Sequence, residues 1–133
     1  DKVDLTASVN YYSYKLDEQE EAWNLPQWDA NLNIGYKVND QLSLSADIFL
    51  MGERKALFIA FPSNLANFSA PGISYNSNNL ETAFDLNVKG NYQITNQFSV
   101  FAQLNNFGFQ KYQRWFGYPV QSFNMLAGIS YSF

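Results

Sequence analysis

Trp28-Asp29-Ala30-Asn31-Leu32-Asn33-Ile34-Gly35-Tyr36-Lys37-Val38 runs, across Asn39-Asp40-Gln41, into Leu42-Ser43-Leu44-Ser45-Ala46-Asp47-Ile48-Phe49-Leu50. In each arm an apolar side chain alternates with a polar or small one. Successive side chains of a strand leave opposite faces, whereas a helix groups positions three and four apart, so this pattern predicts strands. The Asn-Asp corner predicts a tight hairpin turn with backbone in the left-handed region, which Asn and Asp tolerate. The stretch therefore reads as an antiparallel hairpin with one apolar and one polar face.

The same alternation recurs at Val3, Leu5, Ala7, Val9 and Tyr11; at Phe84, Leu86, Val88, Gly90, Tyr92 and Ile94; at Phe98, Val100, Ala102 and Leu104; and at Met125, Ala127, Ile129, Tyr131 and Phe133. No position of the apolar face is charged. The opposite face is mostly Asp, Asn, Ser, Thr, Gln, Lys and Gly, with Phe49, Phe101 and Leu126 as exceptions. No helical periodicity of comparable length appears. Residues 56–61 are a short apolar patch that reads as a helical turn or a loop anchor. The expectation is an all-β chain, an antiparallel up-and-down meander of about six strands.

Composition narrows the function. The 133 residues suit one domain. A net charge of −4 provides no basic field for nucleic acid. With neither Cys nor His, thiolate zinc sites, disulfides and the commonest general base are excluded. Aromatic residues make up 18% and charged residues 15% of the chain, against about 25% charged in an average globular chain. No apolar run is long enough for a transmembrane helix, which needs about 18 residues or more. Asp1-Lys2-Val3-Asp4 lacks signal-peptide character.

The connections alternate in length. Val38 to Leu42 and Ile94 to Phe98 are tight, and the surrounding Tyr36-Lys37-Val38-Asn39-Asp40-Gln41-Leu42-Ser43-Leu44 is echoed by Tyr92-Gln93-Ile94-Thr95-Asn96-Gln97-Phe98-Ser99-Val100. Residues 17–27, 52–79 and 111–122 are long and hold all four prolines. In a meander this places short turns at one end and long loops at the other, as in outer-membrane barrels.

Two orientations fit a two-faced sheet: the apolar face turned inward on a water-soluble core, or outward to lipid. Four features favour lipid: an uncharged apolar face, strands of about 9–11 residues, aromatics at both strand ends, and a final strand closing on Phe133 in the apolar phase. Tyr11, Tyr12, Tyr14, Trp28, Tyr112 and Trp115 form the expected belt on the long-loop side. Tyr36, Tyr92, Phe98, Tyr131 and Phe133 form the one on the short-turn side. The alternative is a soluble all-β binding module with the apolar face buried.

Ala127-Gly128-Ile129-Ser130-Tyr131-Ser132-Phe133 resembles the C-terminal strand of outer-membrane proteins. Leu104-Asn105-Asn106-Phe107 with Lys111-Tyr112 resembles the Asn-Leu-Phe-Asn-Lys-x-Tyr run of TonB-dependent outer-membrane receptors, and departs from it at Gly108-Phe109-Gln110. The segments 117–124, 21–26 and 49–54 also resemble barrel segments of one subgroup. This resemblance implies that residues 1–133 are the C-terminal portion of a 22-strand transmembrane barrel whose plug domain and N-terminal strands are absent. It implies uptake of a scarce nutrient (an iron chelate, cobalamin or a glycan) at the outer membrane of a Gram-negative cell, without enzymatic activity and without a cofactor. Implied partners are outer-membrane lipid, the TonB energy-coupling system through the missing N-terminal part, the barrel-assembly machinery and a small-molecule or glycan ligand. Ile129, Tyr131 and Phe133 are the implied assembly signal.

The residues offer few chemical candidates. No catalytic or metal-binding constellation is evident. Asp29, Asp47 and Asp85 with Lys37 and Lys89 read as a lumen-facing polar wall held by ion pairs. The acidic run Asp17-Glu18-Gln19-Glu20-Glu21 reads as a solvated loop, since it lacks the spacing of calcium ligands. Trp23, Tyr112, Arg114 and Trp115, with Lys111, are rim positions that would contact a ligand or anchor the interface. The aromatics Phe58, Phe61, Phe68 and Tyr75 would capture a ligand or pack the loops.

Overall fold

The computed structural model describes residues 2–60 and 74–133. Six strands form one antiparallel sheet: β1 (Val3–Tyr11), β2 (Trp28–Lys37), β3 (Leu42–Met51), β6 (Ala83–Gln93), β7 (Phe98–Asn105) and β10 (Asn124–Tyr131). Their spatial order is β1-β2-β3-β6-β7-β10. Two hairpins interrupt the meander without joining the sheet: β4 (Arg54–Ala60) with β5 (Ser74–Leu80), and β8 (Gln113–Trp115) with β9 (Tyr118–Pro119).

Register carries the sequence pattern across the whole sheet. Directly opposed residues share a face, and Ala7 stands opposite Leu32, which stands opposite Ile48, which stands opposite Leu86. On the far side Val88 faces Leu104, and Leu104 faces Met125. One uncharged apolar stripe therefore crosses all six strands. The other face collects Thr6, Asn33, Asp47 and Asn87 in the adjoining row. A one-residue slip in any pair would reverse that strand's faces, so the match between pattern and register is strict.

The two tight turns are the same device used twice. Val38 N–H donates to Leu42 O at 2.9 Å and Ile94 N–H to Phe98 O at 2.9 Å. Asn39 Oδ1 accepts the Gln41 and Leu42 amides at 2.9 and 2.8 Å. Thr95 Oγ1 accepts the Gln97 and Phe98 amides at 3.3 and 3.1 Å. The expected left-handed corner is not used: among the described residues the non-glycine residues with positive φ are Asn24, Asn106 and Phe109. A side-chain oxygen that caps the turn amides makes the left-handed conformation unnecessary.

The long connection after β3 also departs from expectation. Instead of a loop over 52–79 with a helical turn at 56–61, β4 and β5 prolong the β3–β6 pair as a ladder. Its register runs from Arg54 opposite Leu80 to Ala60 opposite Ser74, just past the last main-sheet pair, Met51 with Ala83. The Asn-rich arm 76–79 hid this strand, because Asn is a poor strand former on its own.

No second layer covers the sheet among the described residues, and none of their large side chains is fully buried. Leu5 is 64% exposed and Ile129 72%. The buried groups Met51, Arg54, Ala56, Leu80, Ala83 and Asn106 gather at the long-loop end, where the inserted hairpins leave the wall. A single layer with a bare apolar face is the geometry of a wall, not of a sandwich.

Candidate functional site

The polar face carries, toward the long-loop side, two hydrogen-bonded carboxylates on β2 and β6. Asp29, on β2, accepts hydrogen bonds from Asn10 Nδ2 at 2.8 Å and from the Tyr12 hydroxyl at 2.7 Å. That bond, with lesser contributions from desolvation and the Asp29 charge, raises the Tyr12 pKa above the ordinary phenol value. Asp85, on β6, accepts from the Tyr112 hydroxyl at 3.1 Å, and its other oxygen, Oδ1, is buried without a partner. Burial first and the Asp85 carboxylate second raise the Tyr112 pKa. Tyr12 and Tyr112 therefore face the polar side and are not the belt aromatics expected of them.

The expected ion pairs are replaced by neutral donors. Asp47 accepts from the Asn33 amide, and Lys89 lies over the Phe101 ring, 5.4 Å from its centroid. Lys37 sits near the short-turn end of β2, opposite Ser43. Among the described residues the one ion pair is Lys55 with Glu21. Carboxylates bonded to amides and phenols keep their orientation without burying two opposite charges together, which costs desolvation twice.

Arg54 enters the sequence reading only as the end of the segment 49–54, with no role of its own, yet it is 3% exposed. Its guanidinium donates to Met51 Sδ at 3.0 Å, Glu81 O at 3.3 Å and Gln113 O at 3.0 Å, and Nε has no partner. Burial lowers its pKa. No signal in the sequence announces a residue whose partners are main-chain oxygens and a thioether.

The other rim positions divide. Trp23 donates from Nε1 to Gln19 Oε1 at 3.1 Å within its own loop. Arg114 and Trp115 are exposed on β8, and Tyr118 is exposed on β9. Phe58 stacks on Phe116, with centroids 4.5 Å apart, so it packs loops together. Phe61 and Phe68 lie outside the described residues, as does the side chain of Tyr75. Glu21, from the acidic run, is spent on Lys55. A cleft of about 240 Å³ opens between Tyr14, Glu21, Leu25, Arg54 and Lys55. Small-molecule pockets are usually about 300–1,000 Å³, so this cleft is a partial site at most.

The apolar face has its own rim. Phe84 meets Gly108 so closely that a Cβ there would stand 2.8 Å from the ring. Phe109 stacks on Phe123 at 5.0 Å and lies 6.2 Å from Phe107. With Tyr11 and Trp28, these rings cap the stripe at the long-loop end, while Tyr36, Tyr92, Phe98 and Tyr131 cap it at the other. Tyr131 packs edge-on against Phe133 at 5.2 Å.

The sheet and its hairpins have structural counterparts among solved proteins. The ferripyoverdine receptor of the outer membrane of Pseudomonas aeruginosa superposes with a TM-score of 0.76 and 16% identity, over 98% of this chain and 17% of that one. The fold of this chain is shared with a part of that receptor. The siderophore receptor PirA from Acinetobacter baumannii matches with a TM-score of 0.79 and 15% identity, over 99% of this chain and 20% of that one. The ferric enterobactin receptor PfeA from Pseudomonas aeruginosa matches with 0.71 and 15%, over 100% and 20%. This chain thus spans about a fifth of the length of the receptors it matches. No family model and no curated protein matches it.

Proposed function

We propose that residues 1–133 form one sector of the wall of a TonB-dependent outer-membrane receptor of a Gram-negative cell, and that the whole receptor takes up an iron chelate. The observation that carries this reading is the uncharged stripe, continuous in register over six strands and left without a covering layer. Hydrocarbon is the solvent that rewards such a face and penalises charge on it. The soluble binding module would need a second layer, and the described residues supply none. An iron chelate is preferred to cobalamin or a glycan because the superposing receptors are named for ferripyoverdine, a siderophore and ferric enterobactin. Reception and transport, rather than catalysis, suit a wall whose carboxylates are bonded to amides and phenols.

In this reading the polar face lines the lumen and the long-loop end faces outward. Energy coupling would act through parts of the receptor beyond these residues, and Ile129, Tyr131 and Phe133 would present the strand that the assembly machinery recognises. The test is uptake of radiolabelled ferric siderophores by cells expressing the full-length protein, with and without a functional energy-coupling system. Coupling-dependent accumulation is expected. Accumulation of no ferric siderophore, with the protein present in the outer membrane, overturns the ligand class; recovery of the protein in the soluble fraction overturns the receptor reading itself.

A further inference from the structure

We infer that Arg54 is a positioning residue that binds the β4–β5 hairpin and the β8–β9 ladder into one preformed body at the rim. Its three contacts reach three segments: the end of β3 through Met51 Sδ, the β5–β6 link through Glu81 O, and β8 through Gln113 O. Burying a guanidinium on neutral acceptors is a costly way to fill space, and an apolar side chain would fill it more cheaply. What the fork offers instead is fixed geometry, since its donors diverge in one rigid plane.

A second attachment lies along the same strand face. Arg54, Ala56 and Phe58 alternate onto one side of β4; Ala56 is fully buried between the other two, and Phe58 stacks on Phe116 at an interplanar angle of 16°. Arg54 and Phe58 are four residues apart, about 13 Å along a strand. Two contacts that far apart prevent the ladder from pivoting on the hairpin. On the opposite side of the same strand, Asn24 N–H donates to Lys55 O at 2.7 Å and Glu21 pairs with Lys55, which brings in the β1–β2 connection. Phe116 is turned toward β4, while Trp115 and Tyr118 stand 55% and 74% exposed on the ladder. Arg54 thereby holds the base from which these two rings are displayed, and the rim needs no closing motion to present them. The bracket itself stands on the contacts; only its role in displaying rings to a ligand rests on the receptor reading.

The test uses the full-length receptor in outer membranes. Phe58→Cys/Phe116→Cys, oxidised without ligand, is expected to close a disulfide in most of the inserted protein, and failure to close overturns the inference. Adding Arg54→Met is expected to lower that yield at least fivefold, with Arg54→Lys restoring part of it; an unchanged yield with Arg54→Met also overturns it. If Arg54→Met does not insert, the Arg54 background decides through binding. Ferric pyoverdine and ferric enterobactin are titrated against the oxidised and reduced double-cysteine protein. Affinities within twofold of each other support a preformed rim, and a tenfold loss on oxidation that reductant reverses overturns it. Binding of neither probe in either form counts against the receptor reading, and the ligand-free disulfide yield then decides the bracket alone.

Discussion

Asn106 shows how much a single side chain can carry at the root of a loop. It is 3% exposed, its φ is 49°, and its amide meets three main-chain groups. Nδ2 donates to Gln110 O at 2.9 Å and to Gln121 O at 3.1 Å, while Oδ1 accepts the Gln110 amide at 3.1 Å. The side chain thus ties both ends of the connection after β7, in a left-handed conformation that Asn adopts more readily than most residues. Asn106→Ala removes three part-buried hydrogen bonds to main-chain groups and strains the backbone. We expect a loss of about 3 kcal/mol, at roughly 1 kcal/mol per lost hydrogen bond. Denaturant unfolding of the lipid-embedded receptor measures it, and a loss below the error of that measurement would show that the bracket is dispensable. Tyr112 gives a pH-dependent counterpart. Its folded pKa lies above the ordinary value of 10.0 because burial and Asp85 disfavour the phenolate. A group with a raised folded pKa stabilises fully below its unfolded pKa and loses that contribution as pH rises through the folded value. The loop root should therefore loosen only above about pH 10, later than exposed phenols ionise. Absorbance titration of wild type against Tyr112→Phe reads this as the loss of one late-titrating phenol.

At the scale of strands, the sequence was most legible where the physics is local. Period-2 alternation needs no knowledge of distant residues, and it placed β1, β2, β3, β6, β7 and β10 within one or two residues. It failed for β4 and β5 because their residue types do not follow their environments: on β4 buried Arg54 and Ala56 alternate with exposed Lys55 and Leu57, which puts a charged and an apolar residue on each side, and residues 76–79 carry no apolar alternation. It also missed Arg54 and Asn106 as organising residues, since their partners are main-chain atoms 59 and 15 residues away at the farthest. The same local rule yields a paired prediction. Leu32 and Asn33 are neighbours on β2, but Leu32 faces Ala7 and Ile48 while Asn33 faces Thr6 and Asp47. Leu32→Lys would place an ammonium in hydrocarbon, at a cost of about 2–4 kcal/mol near the midplane. Asn33→Lys would place one beside the Asp47 carboxylate on the wet side and should be within about 0.5 kcal/mol of neutral. Insertion of the full-length protein into lipid vesicles distinguishes the two, and equal behaviour of both variants would mean that the faces are assigned wrongly.

For the whole sheet, the decisive fact is that it is open. Among the described residues β1 pairs only with β2, and β10 pairs only with β7. Each outer edge therefore leaves every second N–H and C=O of eight or nine residues without a ladder partner. In a receptor these edges are met by neighbouring strands, because lipid does not tolerate unpaired backbone groups. In water the edges solvate, but the apolar stripe between them does not, and edge-to-edge pairing would bury both at once. Residues 1–133 expressed alone should therefore associate in detergent-free buffer into β-rich particles that grow with concentration. Detergent should release them by covering the stripe, without protecting the edges. Hydrogen exchange then separates the levels: amides at the centre of β3 and β6 should exchange slowly in the detergent-solubilised chain, those on the outer edges of β1 and β10 rapidly. In the full-length receptor the same edge amides should be as protected as the centre. A monodisperse monomer in plain buffer with slow exchange on both edges would require the sheet to satisfy itself, and the reading of this chain as one sector of a larger wall would then fail.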